Sequence, residues 1–219
     1  VTIVAIDGPA GSGKSTVAAA LALRLGVPHV DTGAIYRTAT LAVLRAGVDV
    51  RDEVACVRVL GEVTIGRDAQ GATLDGQGVE ADIRGPEVTA AVSAVSAHPA
   101  VRQALLQLQR GQIGQGGGVV EGRDAGTVVV PDATLKIWLT ADPLERARRR
   151  AAEHGGADPA QVQAHAADLA RRDAHDAAQM VRASDAVVVD TTGCTVKELV
   201  EELVSMATLR RQRQAMSDE

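Results

Sequence analysis

The chain has 219 residues, 46% of them hydrophobic, which is long for one domain and short for two, so a single globular unit with insertions fits best. Its formal net charge is −5 and only 1% of its residues are aromatic (Tyr36 and Trp138, with no Phe), which argues against a polyanion-binding surface and against nucleic-acid binding by base stacking. Cys56 and Cys194 lack metal-ligand spacing and read as two buried thiols of a cytoplasmic protein, and no signal or membrane-spanning segment is found, because Asp7 breaks the first apolar run.

Residues 2–6, with Ile3-Val4-Ala5-Ile6, read as a first strand. It leads into Gly8-Pro9-Ala10-Gly11-Ser12-Gly13-Lys14-Ser15-Thr16, a complete G-x-x-x-x-G-K-[ST] phosphate loop. The glycines let successive N–H groups converge on one point, and Lys14 and Ser15 open a helix whose positive dipole end faces it. These residues are the expected ATP-binding set, with Lys14 on the β- and γ-phosphates and the Ser15 hydroxyl on Mg²⁺. Val17, Leu21 and Leu25 form one helical stripe, which Gly26 and Pro28 stop. A short strand near His29-Val30 ends at Asp31. Thr32, Tyr36 and Arg37 follow at the sheet edge expected to hold the phosphate loop.

Residues 62–83 alternate polar and apolar around Gly71, Gly76 and Gly78, the pattern of a small antiparallel meander, and one helical stretch follows from about Pro86 to Arg110. This block is too long for a simple crossover and reads as an inserted substrate-binding unit, residues 62–110. Val119-Val120, Leu135–Leu139 and Ala186–Val189 are further short apolar runs, as expected of strands covered on both faces. Asp142-Pro143-Leu144-Glu145 combines a capping carboxylate, proline at the first helical position and a glutamate three beyond the cap. Arg146, Arg148, Arg149 and Arg150 ride on that helix, with Arg146 and Arg150 on one face. Gly155-Gly156 ends it, and another helix runs from Pro159 into Arg171-Arg172-Asp173. The segment 142–182 reads as a closing lid on a glycine hinge, and the tail after Met206 as a solvated helix end or disorder.

Five strands alternating with helices make an α/β fold, a doubly wound parallel sheet with ligands at the strands' carboxyl ends. Gly122-Arg123-Asp124 reaches the same edge as Arg37, and two arginine-bearing loops facing a triphosphate cradle point to a second phosphorylated ligand, since guanidinium groups clamp phosphate bidentately. The chain contains no Asn, so the guanine-reading NKxD segment of a GTPase switch is missing.

Asp31-Thr32-Gly33-Ala34-Ile35-Tyr36-Arg37, the run Glu121-Gly122-Arg123-Asp124-Ala125-Gly126-Thr127 through Asp132, and Arg172-Asp173-Ala174-His175-Asp176 resemble the signature segments of bacterial cytidylate kinases. The likeness extends from the phosphate loop to the Asp190-Thr191-Thr192-Gly193 turn. It implies a P-loop kinase core with an enlarged monophosphate-binding insertion and a helical lid, transferring the ATP γ-phosphoryl group to CMP or dCMP with Mg²⁺. Carried onto matching positions, it has Arg37 and Arg123 hold the acceptor phosphate. Ser93, Arg102 and Asp124 read cytosine with Thr32 and Tyr36 nearby, Arg172 and Asp176 meet the ribose, and Lys14, Arg123, Arg146 and Arg150 form the catalytic set. One departure stands out: the family usually has a further arginine where this chain has Gln179, and the connection through residues 180–184 is shorter and lacks proline. The implied protein is a cytoplasmic monomer whose partners are small molecules, with no nucleic acid and no membrane. The alternatives are another small-molecule kinase, such as a shikimate or adenylate kinase, and a non-catalytic nucleotide-binding module.

Overall fold

The structure, a computed structural model, describes residues 1–153, 155–156 and 158–217; positions 154 and 157 of the expected lid lie outside that set. In chain order the elements are β1 (Thr2–Asp7), α1 (Lys14–Leu25), β2 (His29–Asp31), α2 (Thr32–Arg45), α3 (Glu53–Glu62), β3 (Ile65–Asp68), β4 (Gly71–Leu74), β5 (Gln77–Gly78), α4 (Pro86–Ala97), α5 (Pro99–Gly111), β6 (Gly117–Gly122), β7 (Leu135–Thr140), α6 (Pro143–Glu153), α7 (Pro159–Asp176), β8 (Val187–Asp190) and α8 (Val196–Ser217). A 3-10 turn at Asp82–Arg84 and a π-helical turn at Ala125–Val129 complete them. The chain forms two compact units, Val1–Val30 with Gln112–Glu219, and Asp31–Gly111.

The first unit is built on a five-stranded parallel sheet in the order β2-β6-β1-β7-β8. Its central strands are apolar on both faces, as a sheet covered by helices requires: Val4, Ala5, Ile6, Val119 and Val120 are all fully buried. Val17 and Leu21 of α1 and Leu199, Val200 and Leu203 of α8 pack on Val4, Ile6, Leu135, Ile137 and Leu139. Because β1 lies between β6 and β7, the chain winds outward from it in both directions. The connections leaving β1 and β6 therefore part at the carboxyl edge, where Asp7 is in register with Gly122. Asp142 caps α6 as the sequence predicts, its Oδ1 accepting from the N–H groups of Leu144 and Glu145. Ala147 and Ala151 of α6 and Val162 and Leu169 of α7 make a separate small core that also takes in Ala10 of the phosphate loop.

The second unit carries the predicted meander as a three-stranded antiparallel sheet, β3-β4-β5. The helical stretch expected from Pro86 to Arg110 is two helices, not one. Pro99 has no N–H to continue the ladder and drives His98 to extended backbone, so α4 stops there and α5 starts anew. A second correction concerns the thiols: Cys56 is buried but Cys194, on the turn after β8, is exposed. Among the described residues no helix is long and apolar enough to cross a membrane.

Candidate active site

In the first unit the phosphate loop fills the connection from β1 to α1. Gly8 has φ +149°, and a Cβ there would lie 2.1 Å from the Leu139 carbonyl oxygen, so no other residue fits. Gly13, in the left-handed region at φ 87°, is the N-cap of α1 and frees the first N–H groups of the helix to face an anion. Ala10 and Ser12 are buried, and Ser12 Oγ has no hydrogen-bond partner. Lys14 Nζ donates to the Pro9 carbonyl at 2.7 Å, and Ser15 Oγ to Glu121 Oε2 at 2.8 Å.

The surrounding side chains come from the ends of β1 and β6 and from α6 and α7. Asp7 accepts from the N–H groups of Ala125 (2.7 Å) and Gly126 (2.8 Å), which fixes the segment directly after Asp124. Asp124 itself is buried. Arg123 donates to the Gly8 carbonyl at 2.8 Å and to Asp176 Oδ2 at 3.0 Å, so two predicted site residues meet beside the phosphate loop. Arg146 donates to the Ala10 carbonyl at 2.9 Å and to Asp173 Oδ2 at 2.6 Å. Arg150, expected beside it, pairs with Glu153 at 2.8 Å. The Nε atoms of Arg146 and Arg172 are buried without a hydrogen-bond partner. Buried donors left open in this way suit an anionic ligand.

The electrostatics point the same way. Burial, then the Arg123 charge, pull Lys14 down to about 7, and burial pushes Asp7 up to about 6 against the two backbone N–H groups that favour its anion. Burial and the neighbouring Arg123 also lower Arg172. For Lys14 the folded value lies below the unfolded one, so the ammonium opposes folding up to about pH 7 and stability rises as pH climbs from there toward 10.5. A bound polyphosphate reverses that by supplying the missing counter-charge. ATP binding at pH 8 should therefore take up protons, approaching one per site, a stoichiometry read by calorimetry in buffers of different ionisation heat. In Lys14→Ala this Lys14-linked uptake should vanish, and an unchanged proton stoichiometry would contradict the assignment.

The second unit holds the remaining predicted residues. Thr32, Tyr36 and Arg37 lie on the first turns of α2, behind the N-cap Asp31, whose Oδ1 accepts from Ala34 N–H at 2.8 Å. Arg37 is buried, and its Nη1 donates to the Ile83 carbonyl and to Thr89 Oγ1. The Arg102 guanidinium on α5 sits over the Tyr36 ring, 5.5 Å from its centre, and donates to the Ser96 carbonyl. Ser93 lies one turn earlier on α4.

Several residues without a sequence-assigned role belong to the first unit's constellation. Asp7 and Glu121 are buried carboxylates at or near the carboxyl ends of largely buried strands, a polar interruption that is a usable signal. Asp173 holds Arg146. Arg149 donates to Thr191 Oγ1 at 2.9 Å and to its carbonyl at 2.7 Å, while Thr191 Oγ1 also bonds the Ser12 carbonyl at 3.1 Å. The turn after β8 is thereby tied to the phosphate loop.

A parallel sheet in the order β2-β6-β1-β7-β8 with an intact phosphate loop at the end of its central strand and a cluster of arginines beside it defines a P-loop nucleotide-binding protein of the kinase type. The chain belongs to the cytidylate kinase family, whose profile matches residues 4–209. It is 47% identical over 216 residues to "Cytidylate kinase" of Mycobacterium leprae (strain Br4923), covering 95% of this chain and 96% of the relative. It is 48% identical over 218 residues to that of Mycolicibacterium paratuberculosis (strain ATCC BAA-968 / K-10), with the same shares, and 49% identical over 214 residues to that of Nocardia farcinica (strain IFM 10152), covering 92% and 91%. A solved Thermus thermophilus structure aligns over 99% of this chain and 97% of its own at 22% identity, with a TM-score of 0.42, a value that decides nothing about the fold.

Proposed function

We propose that this chain transfers the γ-phosphoryl group of ATP to CMP or dCMP, giving ADP and CDP or dCDP. The observation that carries the reading is the first unit's cluster of Lys14, Arg123, Arg146 and Arg172 around the phosphate loop, with buried donors left open on Arg146 and Arg172. Membership of the cytidylate kinase family supports it further. Phosphoryl transfer asks mainly for positioning and charge stabilisation, so no general base is needed. Lys14 serves the transferring phosphoryl group, Arg146 its developing charge, and Arg150 joins by exchanging Glu153 for phosphate. The family resemblance assigns acceptor roles to Arg123, Asp124, Arg172 and Asp176 of the first unit and to Thr32, Tyr36, Arg37, Ser93 and Arg102 of the second.

The Ser15 hydroxyl and the Glu121 carboxylate beside it are hard oxygen donors that fit Mg²⁺. Among the described residues no group of three or more His, Cys, Asp or Glu could hold a metal, which suits a cation that keeps its waters and arrives on the nucleotide. When bound, Mg²⁺ neutralises charge on the β- and γ-phosphates. The reading further takes the chain as a cytoplasmic monomer with the lid at residues 142–182 and the acceptor insertion at 62–110, meeting neither nucleic acid nor membrane; a net charge of −5 supports the last point.

Steady-state ADP formation with CMP, dCMP, UMP, AMP and shikimate in parallel tests the assignment. CMP and dCMP should give the highest kcat/KM. Preference for AMP or shikimate would move the chain to another kinase, and no ADP with any acceptor would make it a binding module.

Gln179 is half-buried just past α7, its N–H bonding the Asp176 carbonyl, and Arg182 is exposed three residues on. A neutral amide cannot replace a guanidinium on phosphate. We assign the missing charge to Arg182. Arg182→Ala should lower kcat/KM for CMP at least tenfold, about 1.4 kcal/mol of transition-state stabilisation, and adding Gln179→Arg should recover it. A silent Arg182→Ala together with a more active Gln179→Arg would mean that the clamp simply lacks one arm.

A further inference from the structure

His29 has no role in the reading above, yet it touches the group beside the phosphate-loop serine. It lies on β2, the edge strand next to β6, and its Nε2 is 2.8 Å from Glu121 Oε1. The other oxygen of the same carboxylate, Oε2, accepts from Ser15 Oγ at 2.8 Å. Both side chains are largely withdrawn from water, with 16% of His29 and 4% of Glu121 exposed. A carboxylate only accepts, so the ring nitrogen facing it carries the hydrogen.

The two oxygens of Glu121 thus have separate duties. Rotation about the last side-chain bond of a glutamate is broad and roughly two-fold. A donor on Oε1 opposite the Ser15 bond on Oε2 restrains that rotation and serves a buried acceptor. Groups that orient a cation's ligands from behind commonly alter its affinity by ten- to a hundredfold.

We propose that His29 is a positioning residue for the cation-bearing end of the nucleotide site: by holding Glu121 Oε1 it aims Oε2 at Ser15 and so sets the affinity for the divalent ion carried by the nucleotide. This rests on the reading of that site, under the proposed function, as one that binds a nucleotide with its divalent cation. On this proposal His29 acts through Glu121, so its removal should act on the cation and leave the rest of binding alone.

The test compares wild type, His29→Gln and His29→Leu as full-length chains. Mn²⁺ binding in the presence of saturating ADP is measured from the electron paramagnetic resonance signal of free Mn²⁺, beside ADP affinity in EDTA and the kinetic constants for CMP. His29→Leu should weaken Mn²⁺ about tenfold, with ADP affinity in EDTA and KM for CMP within twofold of wild type. His29→Gln, whose amide still donates to Glu121, should stay within about threefold. Should leucine prevent folding, His29→Ser removes the same donor with a small polar side chain and is read in the same way. Wild-type Mn²⁺ affinity in the leucine or serine variant, or a glutamine variant as weak as the leucine one, overturns the proposal. Because Mn²⁺ binding needs no turnover, a wild type that binds Mn²⁺ with ADP but phosphorylates nothing would refute the kinase reading and leave this one standing.

Discussion

Lys14→Ala should lower kcat/KM for CMP by at least about a hundredfold while the apparent melting temperature stays within a few degrees of wild type. The kinetic half follows from what the ammonium does. On the proposed function it compensates charge that grows on the transferring phosphoryl group, and removal of one such preorganised donor typically costs two to three orders of magnitude. The stability half follows from opposing effects. The buried ammonium sits beside Arg123 and is pulled down to about 7, so its charge opposes folding in the nucleotide-free state, and alanine removes that cost. Against this, alanine leaves the Pro9 carbonyl without its 2.7 Å donor and a small void beside α1. Turnover by a coupled ADP assay and melting by differential scanning fluorimetry read the two halves separately. An unchanged rate would sink the phosphate-loop assignment, whereas lost rate with a collapsed melting temperature would show only that the variant unfolds.

The features legible in the sequence are those carried by neighbouring residues. The phosphate loop needs only its own spacing and the strand before it, and the start of α6 only Asp142 and Pro143. The central strands follow from short apolar runs, since β1 and β6 are buried on both faces, whereas the run expected at Ala186–Val189 forms the edge strand β8 and leaves Val188 exposed. At the break between α4 and α5 a local detail competes with a longer pattern. The apolar residues of α4 and α5 continue across His98, and the absence of an N–H on Pro99 decides the break.

Residues whose meaning depends on distant partners are not legible in the local sequence. Asp7 and Glu121 gain a function only because β1 and β6 are neighbours in register, a pairing across more than a hundred positions. Arg149 and Arg150 are adjacent on one helix and alike in sequence terms. Packing of the turn after β8 gives Arg149 the Thr191 contacts, while Arg150 meets Glu153. The exposure of Cys194 depends in the same way on where that turn lies.

Asp124→Asn should reduce the ratio of kcat/KM for CMP over UMP by at least about tenfold. Cytosine presents an exocyclic amino group where uracil has a carbonyl oxygen, so a carboxylate complements the first and opposes the second. Buried polar groups left facing one another without a bond are what gives a site built on hydrogen bonds its discrimination. Asparagine can turn its amide nitrogen toward the uracil carbonyl and loses that opposition. Asp124 is suited to such a role because it is buried and its backbone is fixed: its carbonyl accepts from Val128 N–H at 2.8 Å, and Asp7 holds the next two N–H groups. Those bonds do not involve the Asp124 carboxylate, so the loop should persist in the variant. The substitution also removes a negative neighbour that helps raise Asp7, which favours the Asp7 anion and the two bonds it accepts. The melting temperature should accordingly not fall, and the change should appear in acceptor choice. If the CMP to UMP ratio is unmoved while both rates drop together, Asp124 does not read the base, and a role in orienting Arg123 becomes the account to test next.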